Sequence, residues 1–148
     1  MQTTTLNILK TGNNVFLTGS AGTGKTFVLQ QYIDYLRDNK IFPTILASTG
    51  IAASLLKGKT IHSFFSLGIK DSFSDEDIFD IVTKTYLKKR FENLQVLIID
   101  EISMVPPTIF TIMDKILQGF KKNNKPFGGV QVILSGDYCI AFFLELEW

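Results

Sequence analysis

The chain has 148 residues, 45% of them hydrophobic and 20% charged. That length holds one ordinary domain, and the balance excludes disordered, collagen-like and coiled-coil classes. Fifteen Lys and Arg against fourteen Asp and Glu leave a formal charge of +1, so any polyanion must be held locally rather than by a global field. Cys139 is the single cysteine and His62 the single histidine, which excludes an internal disulfide framework and a Cys/His zinc centre and fits a reducing intracellular setting. The longest apolar run, Tyr138 to Leu144, is far short of the roughly 20 residues that cross a bilayer. Met1 to Thr5 carries no basic segment followed by an apolar one, so no secretory signal is expected.

Asn14 to Thr18 is the first predicted strand, and Gly19-Ser20-Ala21-Gly22-Thr23-Gly24-Lys25-Thr26 follows it. This is a G-x-x-x-x-G-K-[ST] run between a strand and a helix, the context a phosphate-binding loop requires. Its glycines let successive N–H groups turn inward around phosphate oxygens, and the helix adds its positive end. Lys25 would reach the outer phosphates as a point charge while the Thr26 hydroxyl ligates Mg²⁺. The helix is predicted over Gly24 to Asn39, with Phe27, Val28, Ile33 and Leu36 near one face and Asp34, Arg37, Asp38 and Lys40 towards water.

Thr44 to Ser48 is the second predicted strand. Lys57 to Asn93 is less regular: an acidic run (Asp71, Asp75, Glu76, Asp77, Asp80) precedes a basic one (Lys84, Lys88, Lys89, Arg90), read as two solvated helix faces of opposite sign. Phe64 and Phe65 read as core rather than as base-stacking aromatics. Gln95 to Asp100 is the third strand, apolar on both faces and ending in Asp100-Glu101. Carboxylates there project from the sheet edge where ligands collect. Asp100 suits the Mg²⁺ ion or its water, and Glu101 suits the polarising of a water for attack on the γ-phosphate. A second carboxylate aimed at water favours an ATPase over a small-molecule kinase.

Pro106 and Pro107 suit the first turn of a helix with Ile109, Ile112, Met113, Ile116 and Leu117 at helical spacing and Gly119 as its stop. Val130 to Ser135 is the last predicted strand. Gly136-Asp137 after it either places Asp137 beside the same phosphates or is an ordinary turn. Strands alternating with helices, each strand apolar on both faces, predict a three-layer α/β domain with a mostly parallel central sheet, which with the phosphate-binding loop makes it a P-loop NTPase domain.

With these residues in place the chain resembles the first motor domain of a superfamily 1 DNA helicase of the petite integration frequency (Pif) type. Gln2 ahead of the run Leu6 to Gly19 is similar to the family's adenine-reading glutamine and the approach to its phosphate loop. Ala47-Ser48-Thr49-Gly50-Ile51-Ala52-Ala53 with Thr60-Ile61-His62-Ser63-Phe64-Phe65 resembles the motif that touches single-stranded DNA. Ile98 to Val105 and Gly128 to Asp137 resemble the next two motifs. The resemblance implies ATP and Mg²⁺ as cofactors, a nucleotide site made of Gln2, Gly19 to Thr26 and Asp137, and Lys25, Asp100 and Glu101 as catalytic residues. It also implies DNA contacts by Thr49, Gly50 and His62. Gln2 is otherwise a surface residue, and His62 either faces DNA or holds its loop through a hydrogen bond.

After Gly-Asp the family continues with two residues, a glutamine that senses the γ-phosphate, then Leu-Pro-Pro. Here Ile140 stands at the glutamine position, and an aliphatic side chain makes no hydrogen bond. The sequence is therefore divided into an incomplete motor domain over 1–137 and an atypical apolar tail over 138–148, as a truncated or frameshifted reading frame would give. Cys139 to Leu144 in that tail is aggregation-prone unless covered.

The family grips ATP between two RecA-like domains, the second of which supplies arginines, so a partner bearing that domain is implied. The function expected from the resemblance is ATP-driven 5′ to 3′ movement on single-stranded DNA, with duties in DNA repair, recombination and telomere maintenance. It implies a nuclear or mitochondrial site in a eukaryote, the cytoplasm in a bacterium, and no membrane. The alternative is an ATP/Mg²⁺-binding fragment or interaction module without helicase activity. A different P-loop ATPase, such as a clamp loader or repair recombinase, leaves Thr49 to Phe65 unexplained.

Overall fold

Each of the four predicted strands forms. A computed structural model describes residues 2–19, 24–50, 53 and 56–137; Ser20 to Thr23, Ile51, Ala52 and the apolar tail with Ile140 lie outside the described residues. The chain opens with a helix the sequence pattern did not reveal, α1 (Gln2–Leu9), followed by β1 (Val15–Thr18), α2 (Lys25–Asp38), β2 (Thr44–Ala47), a two-residue β3 (Lys59–Thr60), α3 (Ile61–Phe65), α4 (Asp75–Val82), α5 (Thr85–Glu92), β4 (Val96–Asp100), α6 (Pro107–Lys121) and β5 (Gln131–Gly136). Short 3₁₀ turns occupy Ile102–Met104 and Pro126–Gly129.

The five described strands form one parallel sheet in the order β1-β5-β4-β2-β3. The last described strand therefore lies between the strand that leads into the phosphate loop and the strand that ends in Asp100. Because every strand runs the same way, all C-terminal ends share one edge: Thr18 is level with Gly136, and Ala47 with Asp100.

Apolar side chains on both faces of each strand account for the three layers. On one face Ile45, Val96, Ile98 and Ile133 pack against Leu9 of α1 and Val28, Leu29, Tyr32, Ile33 and Leu36 of α2. On the other, Leu46, Leu97, Ile99, Val132 and Leu134 meet α3 to α6. All five residues of β4 are buried, and each fully buried aliphatic side chain there contributes about 1.5–3 kcal/mol. An Ile98→Asp change would break this layer, since a buried unpaired carboxylate is costly.

Local chemistry sets the helix ends. Ser74 accepts from Asp77 N and the Asp77 carboxylate accepts from Ser74 N at 2.9 Å, a reciprocal capping box that starts α4. Pro107 opens α6 without losing a needed donor. Gly119 does not stop α6, which continues to Lys121. Its small size serves packing instead, because a Cβ there would lie 2.8 Å from Val82 Cγ2 of α4.

Two further expectations are corrected. Phe27 lies off the buried face of α2, and Leu29 and Tyr32 fill that face in its place. Arg90 is not part of a solvated basic face: it is half-buried, its Nη1 donates to Phe64 O at 2.6 Å and its guanidinium lies 5.3 Å from the Phe64 ring centre. Phe64 and Phe65 are core, packed with Phe91, which stacks on Phe120 at 4.4 Å between centroids.

Candidate functional site

The parallel register gathers residues from distant stretches of sequence at the C-terminal edge of the sheet. β1 delivers Gly19 and α2 begins at Lys25, so the lysine lies where chain and helix meet. Lys25 Nζ donates to Gly19 O and lies 3.4 Å from Asp137 Oδ1, just beyond the end of β5. The carboxylate is 71% exposed while the lysine side chain is only 18% exposed, so the pair is open to solvent on one side and is worth little as a structural clamp. Asp137 is thus beside Lys25, which settles its position and not its chemistry.

Across β5, Asp100 ends β4 with 9% exposure, and its Oδ1 accepts from Glu101 N at 2.9 Å. Glu101 itself is exposed and takes a left-handed backbone, φ 55°, which directs the chain away from the strand into the 3₁₀ turn. Gly136 permits this close approach, since a Cβ on it would come within 3.0 Å of Ile102 Cγ2. Thr26 is exposed in the first turn of α2.

Gln2 is drawn into this site by α1. Its Nε2 lies 2.5 Å from where a Cβ on Gly24 would stand, and Gly24 has φ 88°. The backbone conformation therefore favours glycine there, and the glutamine end rests where a side chain at that position would begin. Gln2, Thr5, Leu17, Thr18, Gly24, Lys25 and Val28 line a cavity of about 300 Å³ between α1 and α2. Thr5, Leu17 and Val28 were not foreseen as lining residues, because only the α1 fold brings them together.

Thr49, Gly50 and His62 do not join this cluster. Thr49 and Gly50 follow β2 and are exposed. His62, also exposed, lies in α3 directly after β3, with Thr60 of β3 capping α3 by accepting from Ser63 N at 3.3 Å. The three share the same sheet edge but sit at its β2-β3 end, with β4 between them and the phosphate loop. From β1 to β2 there are three strand spacings, about 14 Å.

The family model described as PIF1-like helicase matches residues 2–142. The chain belongs to this family. A PIF1-like relative, the ATP-dependent DNA helicase Pif1 of Psychrobacter sp. (strain PRwf-1), is 49% identical over 137 residues, covering 93% of this chain and 21% of its own length. Pif1 helicase from Candida albicans superposes with a TM-score of 0.81 at 36% identity, covering 92% of this chain and 31% of that one. Bacteroides Pif1 bound to single-stranded DNA superposes with 0.78 at 35% identity over the same shares. The chain thus spans about a sixth to a third of the PIF1-like proteins it matches, and the α/β fold it forms is theirs.

Proposed function

We propose that the chain is an ATP-binding motor domain of an ATP-dependent DNA helicase that moves 5′ to 3′ along single-stranded DNA. The carrying observation is that Lys25 and Asp137 lie 3.4 Å apart with Gln2 against Gly24, and that Asp100 and Glu101 stand at the end of β4, the strand next to β5, at the same edge of the sheet. In this reading the phosphates of ATP lie over Gly19 to Thr26, and Lys25 exchanges its contacts with Gly19 O and Asp137 for the outer phosphate oxygens. Gln2 presents an amide to the adenine edge, where donor and acceptor are met by one group.

The residues fit Mg²⁺. Asp100 is a buried carboxylate at the strand end and the Thr26 hydroxyl stands at the start of α2. Mg²⁺ takes few protein oxygens and completes its shell with water and phosphate. No group of three or more His, Cys, Asp or Glu side chains lies together among the described residues, and such a site needs none. Bound there, the ion would neutralise charge developing on the phosphates. Glu101, exposed beside it, polarises the attacking water.

Thr49, Gly50 and His62 contact DNA backbone at the β2-β3 end of the same edge, so β4 lies between the two ligands and belongs to neither alone. This placement supports coupling of nucleotide state to DNA grip. Duties in DNA repair, recombination and telomere maintenance, and a setting in the nucleus or mitochondrion of a eukaryote or the cytoplasm of a bacterium, accompany the family reading. No described helix is long and apolar enough to cross a membrane.

The test is ATP hydrolysis by the 148-residue chain with and without single-stranded DNA. Stimulation by DNA that Lys25→Ala abolishes supports the motor reading; DNA-independent hydrolysis or none overturns it for the chain alone.

One observation favours a second reading, an ATP/Mg²⁺-binding module that does not turn over by itself. The chain's arginines are Arg37 and Arg90. Arg37 lies twelve residues beyond Lys25, about 18 Å along α2, and Arg90 is committed to Phe64 O. Nucleotide binding without turnover, restored by a partner that supplies arginine, is the outcome that reading expects.

A further inference from the structure

Gln131 is a polar side chain that opens a largely apolar strand and is 9% exposed. Its amide is engaged on three sides. Tyr32 Oη of α2 donates to Gln131 Oε1 at 2.7 Å, and Gln131 Nε2 donates to Leu9 O at 3.0 Å and to Asn13 O at 2.9 Å. Both amide hydrogens are thus used on carbonyls, which fixes the orientation of the group. Desolvation by burial raises the Tyr32 hydroxyl pKa, so Tyr32 remains a donor. One residue on, Val132 N donates to Asn14 Oδ1 at 2.8 Å. The N-terminal end of β5 therefore grips the last turn of α1 and the segment that follows it.

This grip matters because α1 has only eight residues and no acidic side chain in its first turn. So short a helix is marginal without tertiary support. It has one buried anchor, Leu9, next to the carbonyl that Gln131 holds. At its other end, about 10 Å away along the helix axis, Gln2 lies over Gly24.

We propose that Gln131 is a positioning residue for base recognition. It pins the C-terminal turn of α1 to β5 and α2, and so holds Gln2 at the mouth of the cavity beside Lys25, where its amide meets the base of a bound nucleotide. The inference rests on the reading of Gln2 given above. A bidentate amide contact is lost by displacements of a fraction of an ångström, because hydrogen bonds weaken steeply with distance and angle. Loosening α1 therefore removes discrimination between bases while leaving the phosphate loop, which is built on β1 and α2, in place.

The test uses equilibrium binding of ATP, GTP and inorganic tripolyphosphate to the full chain, each competing with a fluorescent nucleotide. The wild type should prefer ATP over GTP by roughly tenfold or more, the discrimination a good bidentate base contact supplies. Gln131→Met, similar in shape but unable to donate, should reduce the preference to within about twofold while tripolyphosphate affinity stays constant.

Gln131→Glu keeps the acceptor for Tyr32 but loses both donor bonds, and it should behave like Gln131→Met. Tyr32→Phe leaves both carbonyl contacts intact and should retain most of the preference. If Gln2→Ala abolishes the preference but Gln131→Met and Gln131→Glu keep it, the positioning role is overturned and the reading of Gln2 stands. Equal loss of tripolyphosphate affinity in the Gln131 variants assigns Gln131 to fold stability alone and also overturns the role. A preference that survives Gln2→Ala, or is absent from the wild type, overturns the reading of Gln2 itself.

Discussion

Glu101 occupies a left-handed backbone conformation, φ 55°, that costs a non-glycine residue about 1–2 kcal/mol. Strain of this kind persists where surrounding structure enforces it, and it concentrates at functional sites. Here the enforcing contacts are Asp100 Oδ1 on Glu101 N and the Gly136–Ile102 approach. Glu101→Gln preserves the shape and removes the base that the proposed mechanism assigns to this carboxylate. It should lower the hydrolysis rate by roughly 10²- to 10⁴-fold and leave nucleotide affinity unchanged, as single-turnover assays and binding titrations would show.

At the other end of the edge, Thr49→Ala and His62→Ala should each weaken oligonucleotide binding and leave ATP affinity alone. Unchanged DNA affinity in both would remove them from the DNA contact. At this scale the sequence was most informative where chemistry restricts residue type: a glycine-lysine loop and a carboxylate pair have few other uses. Gln131 was illegible because one amide in an apolar strand has no period, and its partners Leu9, Asn13 and Tyr32 are separated from it by most of the chain.

Among the elements, α4 offers a pH test. The Lys70 side chain, followed by the Ser74 backbone and side chain, hydrogen-bonds the Asp77 carboxylate and lowers its pKa to about 2. A carboxylate depressed in the folded state contributes stability above its unfolded pKa and loses it as pH falls through the folded value. The wild type should therefore exceed Asp77→Asn in stability at neutral pH, and the difference should shrink between about pH 4 and pH 2. Urea titrations across that range would reveal it; a difference independent of pH would assign the effect to the cap geometry rather than to charge.

The apolar runs announced four strands within one residue at each end, because strands covered on both faces have nothing polar to interrupt them. α1 and β3 were hidden for opposite reasons. QTTTLNIL has little apolar periodicity, and Lys59–Thr60 is too short to have any. Gly119 was misread because a glycine near a helix end signals a stop, whereas here Val82 requires the missing Cβ.

For the whole molecule, the distribution of arginine decides what to expect of turnover. Arg37 lies about 18 Å along α2 from Lys25 and Arg90 is held by Phe64 O, and loss of an arginine finger costs about 10³ to 10⁵ in rate. The chain alone should therefore bind ATP and Mg²⁺ well yet hydrolyse slowly. Addition of a PIF1-like second motor domain should raise the rate without tightening nucleotide binding to the same degree; a chain already fast by itself would contradict this.

The position of β5 has a consequence for how such a domain is made. Val15 pairs with Ile133, so among the described strands β1 has no hydrogen-bonding neighbour until β5, the last of them, is synthesised. Until then β1 and β4 each present an unpaired apolar edge, the kind that templates aggregation. The strand that lies between β1, which leads to Lys25, and β4, which ends in Asp100, is also the one on which completion of the described sheet waits. A nascent chain halted before Gln131 is thus a natural client for chaperones, whatever its finished form does.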